Sequence, residues 1–166
     1  MQQPIIRDFN FNDVPQILEI VNHYILNTTA VYDYKERTLA EQEAILKDKI
    51  DKNFPFLVAE MNNQIVGFGT YGSFRFKAAY LHTVEHSVYL RPKFEGFGLG
   101  KLLLNELISI AKKQKMRTMI AVIDSENQGS INFHEQFGFE IIGTIKDSGF
   151  KFNRWLHSVL MQVIFD

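Results

Sequence analysis

The chain has no cysteine among its 166 residues, so it can form no disulfide, no thiolate zinc site and no cysteine nucleophile. No run of 18 apolar residues occurs, and Met1-Gln2-Gln3-Pro4 has neither a basic segment nor a hydrophobic signal core. A soluble, unprocessed chain with no membrane partner is therefore expected, and the missing thiols are compatible with a cytoplasmic location. Charge of one sign is not in excess either. The 18 Lys and Arg against 19 Asp and Glu leave a net of -1, which argues against a broad cationic face for nucleic acid. What the chain does have is apolar volume: 46% hydrophobic residues with fifteen Phe and six Tyr, enough for one packed core and incompatible with disorder. With no internal repeat and no flexible linker, residues 1–166 are expected to form a single domain.

Local patterns give the order of elements. Ile5 and Ile6 start a short strand, and Phe9 to Asp13 supplies a turn and a helix cap. Val14, Ile17, Leu18, Val21 and Ile25 then recur at helical spacing, with Pro15 in the first turn where its missing N–H costs little. After a loop over Asn27 to Glu36, Thr38 to Glu41 forms a capping box, and Ile45, Leu46 and Ile50 are expected to bury the inner face of a second helix. Phe56 to Ala59 and Ile65 to Tyr71 read as strands joined at Asn62-Asn63. Tyr80 to Leu90 reads as a longer strand, and Leu99, Leu103, Leu107, Ile110 and Ala111 mark a strong helix. A strand at Met119 to Ile123, a helix at Gln128 to Phe137, and strands at Phe139 to Ile145 and Leu156 to Phe165 complete the chain, the last two separated by a turn containing Asn153 and Arg154. The fold class expected is α/β: one mixed central sheet flanked by helices.

The most specific local feature is Glu95-Gly96-Phe97-Gly98-Leu99-Gly100, between a strand and an amphipathic helix. Such a segment is either a tight strand-to-helix turn or a cradle for a diphosphate, because glycines let backbone amides approach an anion and the helix dipole favours it. It is not a Walker A loop, which needs Gly at 95 and Ser or Thr at 102 where this chain has Glu95 and Leu102. A dinucleotide fingerprint starting at Gly96 fails at Lys101. His82-Thr83-Val84-Glu85-His86 satisfies the pattern H-x-x-E-H, but a strand separates residues four apart by about 13 Å, too far for two ligands on one zinc. No metal is expected.

Thr83 to Tyr89, the glycine run, Asn127-x-x-Ser130-x-x-x-His134-Glu135-x-x-Gly138-Phe139 and Gly149-Phe150-Lys151-x-x-x-Trp155 together resemble the GNAT acetyltransferase superfamily, and within it the phosphinothricin and methionine-sulfoximine N-acetyltransferase branch. The resemblance implies acetyl-CoA as cosubstrate and a small primary amine as acceptor. It also implies a homodimer. Its Gln/Arg-x-x-Gly-x-Gly/Ala loop corresponds to Glu95, Gly98 and Gly100, with Gly96, Phe97, Leu99 and Lys101 supplying neighbouring backbone; Glu95 departs from the pattern by placing a carboxylate beside the diphosphate. The strand amides of Val88, Tyr89 and Leu90 would meet the thioester arm, and Asn127 and Ser130 would touch the cofactor or cap the helix that follows.

The same resemblance makes Glu85 the candidate general base and puts His134 near the CoA sulfur. Arg75 and Lys77 fall in its acceptor-facing segment, where Arg75 suits a forked carboxylate contact; otherwise they are solvent-facing loop charges. Thr83, Tyr32, Phe74 and Trp155 are candidates for the acceptor pocket wall, although such aromatics also fill cores and interfaces. Two alternatives remain from the sequence: acetylation of a protein N-terminus or other amine by the same machinery, and a noncatalytic acyl-CoA-binding regulatory protein.

Overall fold

A computed structural model of the chain describes residues 3–166, so Met1 and Gln2 at the expected unprocessed start lie outside the described residues. The elements are β1 (Ile5–Asp8), α1 (Val14–Asn27), α2 (Leu39–Asp51), β2 (Phe56–Met61), β3 (Gln64–Ser73), β4 (Thr83–Leu90), α3 (Leu99–Lys113), β5 (Thr118–Asp124), α4 (Gln128–Glu135), β6 (Glu140–Lys151) and β7 (Arg154–Ile164). All strands join one sheet in the order β1-β2-β3-β4-β5-β7-β6. Every pairing is antiparallel except β4 with β5, so the sheet is mixed.

Helices cover both faces. Val14, Ile17, Val21 and Ile25 of α1 and Leu46 of α2 pack on Phe56, Val58 and Phe68 of one face. Leu99, Leu103, Leu107 and Ala111 of α3 and Ile131 of α4 pack on Leu57, Ala59, Val84, Met119 and Ala121 of the other. Alternation along each strand sends successive side chains to these two layers, which is why β2 reads as a continuous apolar run.

Several boundaries differ from the sequence expectation. Strand β4 begins at Thr83 rather than Tyr80, because Ala78–Tyr80 closes a 3₁₀ turn in which Tyr80 N–H donates to Lys77 O at 2.9 Å. Helix α4 stops at Glu135 and not Phe137, since its last turn tightens and Phe137 N–H donates to His134 O at 2.9 Å. The final two strands are longer than their apolar cores and turn at Phe152-Asn153, both left-handed with φ of 50° and 57°, instead of at Asn153-Arg154. Ile50 is 52% exposed, and the inner stripe of α2 runs through buried Gln42 and Leu46 to Lys49. The amide oxygen of Gln42 accepts from Arg37 Nη1 at 3.3 Å, which satisfies this buried polar group. The Asn62-Asn63 turn is as read, with φ of 53° and 60°.

Candidate active site

Strands β4 and β5 pair only over Thr83–Glu85 and Thr118–Ile120, after which they separate. The split opens a cleft of about 850 Å³, lined by the diverging strands, by Thr29 to Tyr32, by the glycine turn and by α4. Arg91 N–H donates across to Val66 O of β3 at 2.8 Å. Backbone groups alternate between the two edges of a strand, so Leu90, Val88 and His86 turn theirs towards the split. Tyr24 marks the end of this edge: its hydroxyl donates to Leu90 O at 2.9 Å and receives Leu90 N–H at 3.4 Å. The Val88 N–H therefore faces the cleft as a fixed donor.

At the same end α3 begins at Gly98 with no side-chain cap, so its first amides are not occupied by a side chain of the protein. Gly96 and Gly98 have φ of 84° and 78°, and a Cβ on either would meet nothing within 4 Å. Left-handed backbone beside open space and a free helix N-terminus fits a diphosphate. Glu95, Gly96 and Gly100 line the cleft. Leu99 is fully buried and offers only backbone, while Phe97 and Lys101 are exposed beside the turn.

Side chains on β4 divide between the two faces. Glu85 and Tyr89 point to the α1–α2 layer, and Val84, His86 and Val88 to the α3–α4 layer. Burial raises the Glu85 pKa, and the Lys49 charge opposes that rise. On the opposite face His134 Nδ1 lies 2.6 Å from Ser130 O, and its Nε2 lies 3.1 Å from His86 Nε2. A carbonyl only accepts, so His134 carries its hydrogen on Nδ1; with both rings neutral, His86 Nε2–H then donates to His134 Nε2. His86 Nδ1 is left buried without a partner. Burial, then the neighbouring His134 charge, push the His86 pKa down to about 3. Burial also lowers that of His134, against the contact with Ser130.

The cleft thus brings together Tyr32, Glu85, Val88, Tyr89, Leu90, Glu95, Gly96, Gly100, Asn127, Ser130 and His134 from the sequence candidates. Asn127 caps α4, accepting Ser130 N–H at 3.0 Å, and Ser130 in turn holds His134. Other candidates lie elsewhere. Arg75 and Lys77 line a separate groove with Lys49, Lys52 and Phe76, because the turn after β3 carries them past the α2 end of the sheet. Phe74 stacks edge-on with Tyr80 at 5.9 Å, and Trp155 is 61% exposed against Phe150 on the outer hairpin. Thr83 sits at the start of β4, where the strands are still paired. Sequence reasoning missed Tyr24, Asp124, Phe133 and Ser158 in the lining; His86 was visible in the H-x-x-E-H pattern and in the Thr83 to Tyr89 segment but was given no role.

Residues 6–160 match the family described as Acetyltransferase (GNAT) domain. The L-methionine sulfoximine/L-methionine sulfone acetyltransferase of Pseudomonas aeruginosa is 40% identical over 162 residues, covering 97% of this chain and 94% of that protein. A phosphinothricin acetyltransferase from Sinorhizobium meliloti, solved in complex with AcCoA, superposes with a TM-score of 0.94 at 34% identity, covering 99% of this chain and 89% of that one. A ribosomal-protein-alanine N-acetyltransferase from Brucella melitensis superposes with a TM-score of 0.96 at 38% identity, covering 97% and 99%.

Proposed function

Because the chain belongs to the GNAT acetyltransferase family, we propose that it moves the acetyl group of acetyl-CoA to the primary amine of a small amino-acid-like acceptor, of the phosphinothricin, methionine sulfoximine or methionine sulfone type. The observation that carries this reading is the split between β4 and β5. It joins a face holding one half-buried carboxylate to a face holding an uncapped helix N-terminus and a histidine pair.

In this reading the amides around Gly98 hold the diphosphate and the Val88 N–H polarises the thioester carbonyl, placing the reacting centre within the split. The acceptor enters past Tyr32 from the α1–α2 side. Glu85, made more basic by its burial, takes the amine proton directly or through one water, leaving a neutral nucleophile. Nitrogen attacks the carbonyl carbon, the carbon–sulfur bond breaks, and the proton that nitrogen sheds as the amide forms passes to the departing thiolate, which lies on the side of the cleft lined by His134. Glu85 and His134 are held in place beforehand, so little reorganisation accompanies transfer.

The chain also pairs, in our reading, as a homodimer through the outer β6–β7 hairpin. Ile141, Ile142, Ile145, Phe152 and Trp155 are each more than half exposed there, apolar surface on both sides of the hairpin that a second copy would cover. Sedimentation at known concentration tests this, and a monomer at the assay concentration would exclude it.

The decisive experiment is an acetyl-CoA-dependent screen with direct detection of acetylated product, comparing methionine sulfoximine, methionine sulfone and phosphinothricin with alanine-starting peptides. Transfer to the amino-acid analogues is expected. Transfer to peptides alone would reassign the acceptor, and tight acetyl-CoA binding without any product would leave an acyl-CoA-binding protein.

A further inference from the structure

Gly72 of β3 lies directly opposite Glu85 of β4, so both positions share the α1–α2 face of the sheet. A Cβ added at Gly72 would stand 2.8 Å from Lys49 Nζ, and apart from the adjoining residues of the chain no other described atom lies within 4 Å of it. The lysine reaches this point from α2, donates to Tyr71 O at 2.8 Å and spans the ring of Phe54 at 5.7 Å. Its ammonium therefore occupies the volume that any side chain at 72 would fill, on the cross-strand neighbour of the proposed base.

We propose that Lys49 is a positioning residue for Glu85, its ammonium threaded into the space left by Gly72 so that the neighbouring carboxyl stays ionised. This rests on the reading of Glu85 as the base. No salt bridge is formed; the ammonium is anchored to the Tyr71 carbonyl and acts on Glu85 through space. Burial alone drives Glu85 towards its neutral form, and Lys49 is the charged side chain that opposes it. The reciprocal effect is present: burial lowers the Lys49 pKa, while Asp48 and Glu85 support its charge and Lys52 opposes it. Tyr89, farther along the same face, is itself influenced by Arg37 and Glu85 and remains neutral because burial raises its pKa. Glycine at 72 is thus explained by what comes close to it.

Two chemically unrelated substitutions should have one consequence. Lys49→Met removes the ammonium, and Gly72→Ala displaces it by occupying its place; a flexible lysine tip can retreat from a methyl group without unfolding the sheet. The ¹³C carboxyl resonance of Glu85, titrated in the cofactor-free protein, should move its midpoint up by about 0.5 to 1 pH unit in both variants and hardly at all in Lys49→Arg. At saturating substrates kcat of both variants should fall several-fold at pH 6 and recover towards wild type at pH 8.5, because a base with a raised pKa is protonated first at acid pH. Unchanged Glu85 midpoints in both variants would overturn the proposal. So would a rise in acceptor KM of equal size at every pH, which would make Lys49 a substrate contact. The resonance reports on Lys49 even in a protein that transfers no acetyl group, so failure of the functional reading is separable from failure of this one.

Discussion

Glu85 and His86 are consecutive in β4, yet their side chains leave opposite faces of the sheet, the first towards Lys49 on α2 and the second onto His134 on α4. Within a paired sheet that arrangement would separate them completely. Here the strands part just beyond Glu85, so both residues line one opening, Glu85 half-buried and His86 buried in its wall. A reaction that removes a proton from one reactant while the other lies across the sheet can therefore use both faces at once, with the backbone edge between them.

Glu85→Gln keeps the side chain's shape and removes its ability to take a proton. A loss of about 10² to 10³ in kcat is expected, with acetyl-CoA KM little changed, because the diphosphate turn lies at the far end of the strand. The wild-type profile should show an acidic limb above the ordinary glutamate range, since burial raises this pKa. That limb should vanish in the variant. Steady-state kinetics from pH 5 to 9 gives both results, and equal turnover of the two proteins across this range would remove Glu85 from the chemistry.

The histidine pair predicts how stability responds to acid. His86 has a pKa of about 3 in the folded chain against an ordinary value near 6.5, so below pH 6.5 the unfolded chain binds a proton that the folded chain refuses. Stability must fall as pH drops from about 6.5 towards 3, at up to about 1.4 kcal/mol per pH unit for one such group. His86→Leu should flatten that slope, whatever it does to stability at pH 7.5. Urea denaturation at pH 7.5, 6 and 5 measures the difference; parallel curves for the two proteins would refute the buried neutral assignment.

Much of this architecture was readable because it rests on local rules. The order of strands and helices followed from periodicity, the hairpin from Asn62-Asn63, and the glycine turn from its position between a strand and an amphipathic helix. What could not be read was the result of nonlocal approach. Arg75 and Lys77 are close to Glu85 in sequence, but the 3₁₀ turn at Ala78–Tyr80 sends them to another groove. Lys49 lies in a helix whose pattern gave no reason to single out a lysine, and only the register of Gly72 with Glu85 shows where its ammonium ends. His86 was flagged by a zinc-protease pattern that extended geometry forbids; its actual partner is 48 residues away.

Glu95 stands where the family pattern has Gln or Arg, and it lines the cleft beside Gly96. A carboxylate near a diphosphate is repulsive, although its exposure to solvent keeps the effect small. Glu95→Gln should lower acetyl-CoA KM about two- to fivefold at low ionic strength and leave kcat alone, with the advantage shrinking as salt is added. A higher KM would mean that the carboxylate instead orders the turn.

Lys151 joins the far end of β6 to the loop that walls the cleft. Only 4% exposed, its ammonium donates to Ile25 O at 2.6 Å, Thr28 O at 2.8 Å and Val31 O at 2.6 Å. These carbonyls lie at the C-terminus of α1 and in the segment after it, where helical partners have run out. One charged group with three donors therefore closes the helix and fixes Thr29 and Tyr32, whose hydroxyls reach Asp124 and Ser158 across the cleft. Burial lowers the Lys151 pKa and Asp33 partly offsets this, so the charge is retained for its hydrogen bonds rather than for an ion pair. Lys151→Met fills similar volume but leaves three acceptors without a donor, at a cost of about 3 kcal/mol. For a chain of this length that should lower Tm by roughly 6 to 12 °C. The kinetic effect should be lopsided: acceptor KM rises because Tyr32 loses its anchor, while acetyl-CoA KM, set at the glycine turn, stays close to wild type. Calorimetry and two-substrate kinetics on the same preparation test the two halves, and a variant with full stability or with acetyl-CoA KM raised as much as acceptor KM would contradict the role assigned to this lysine.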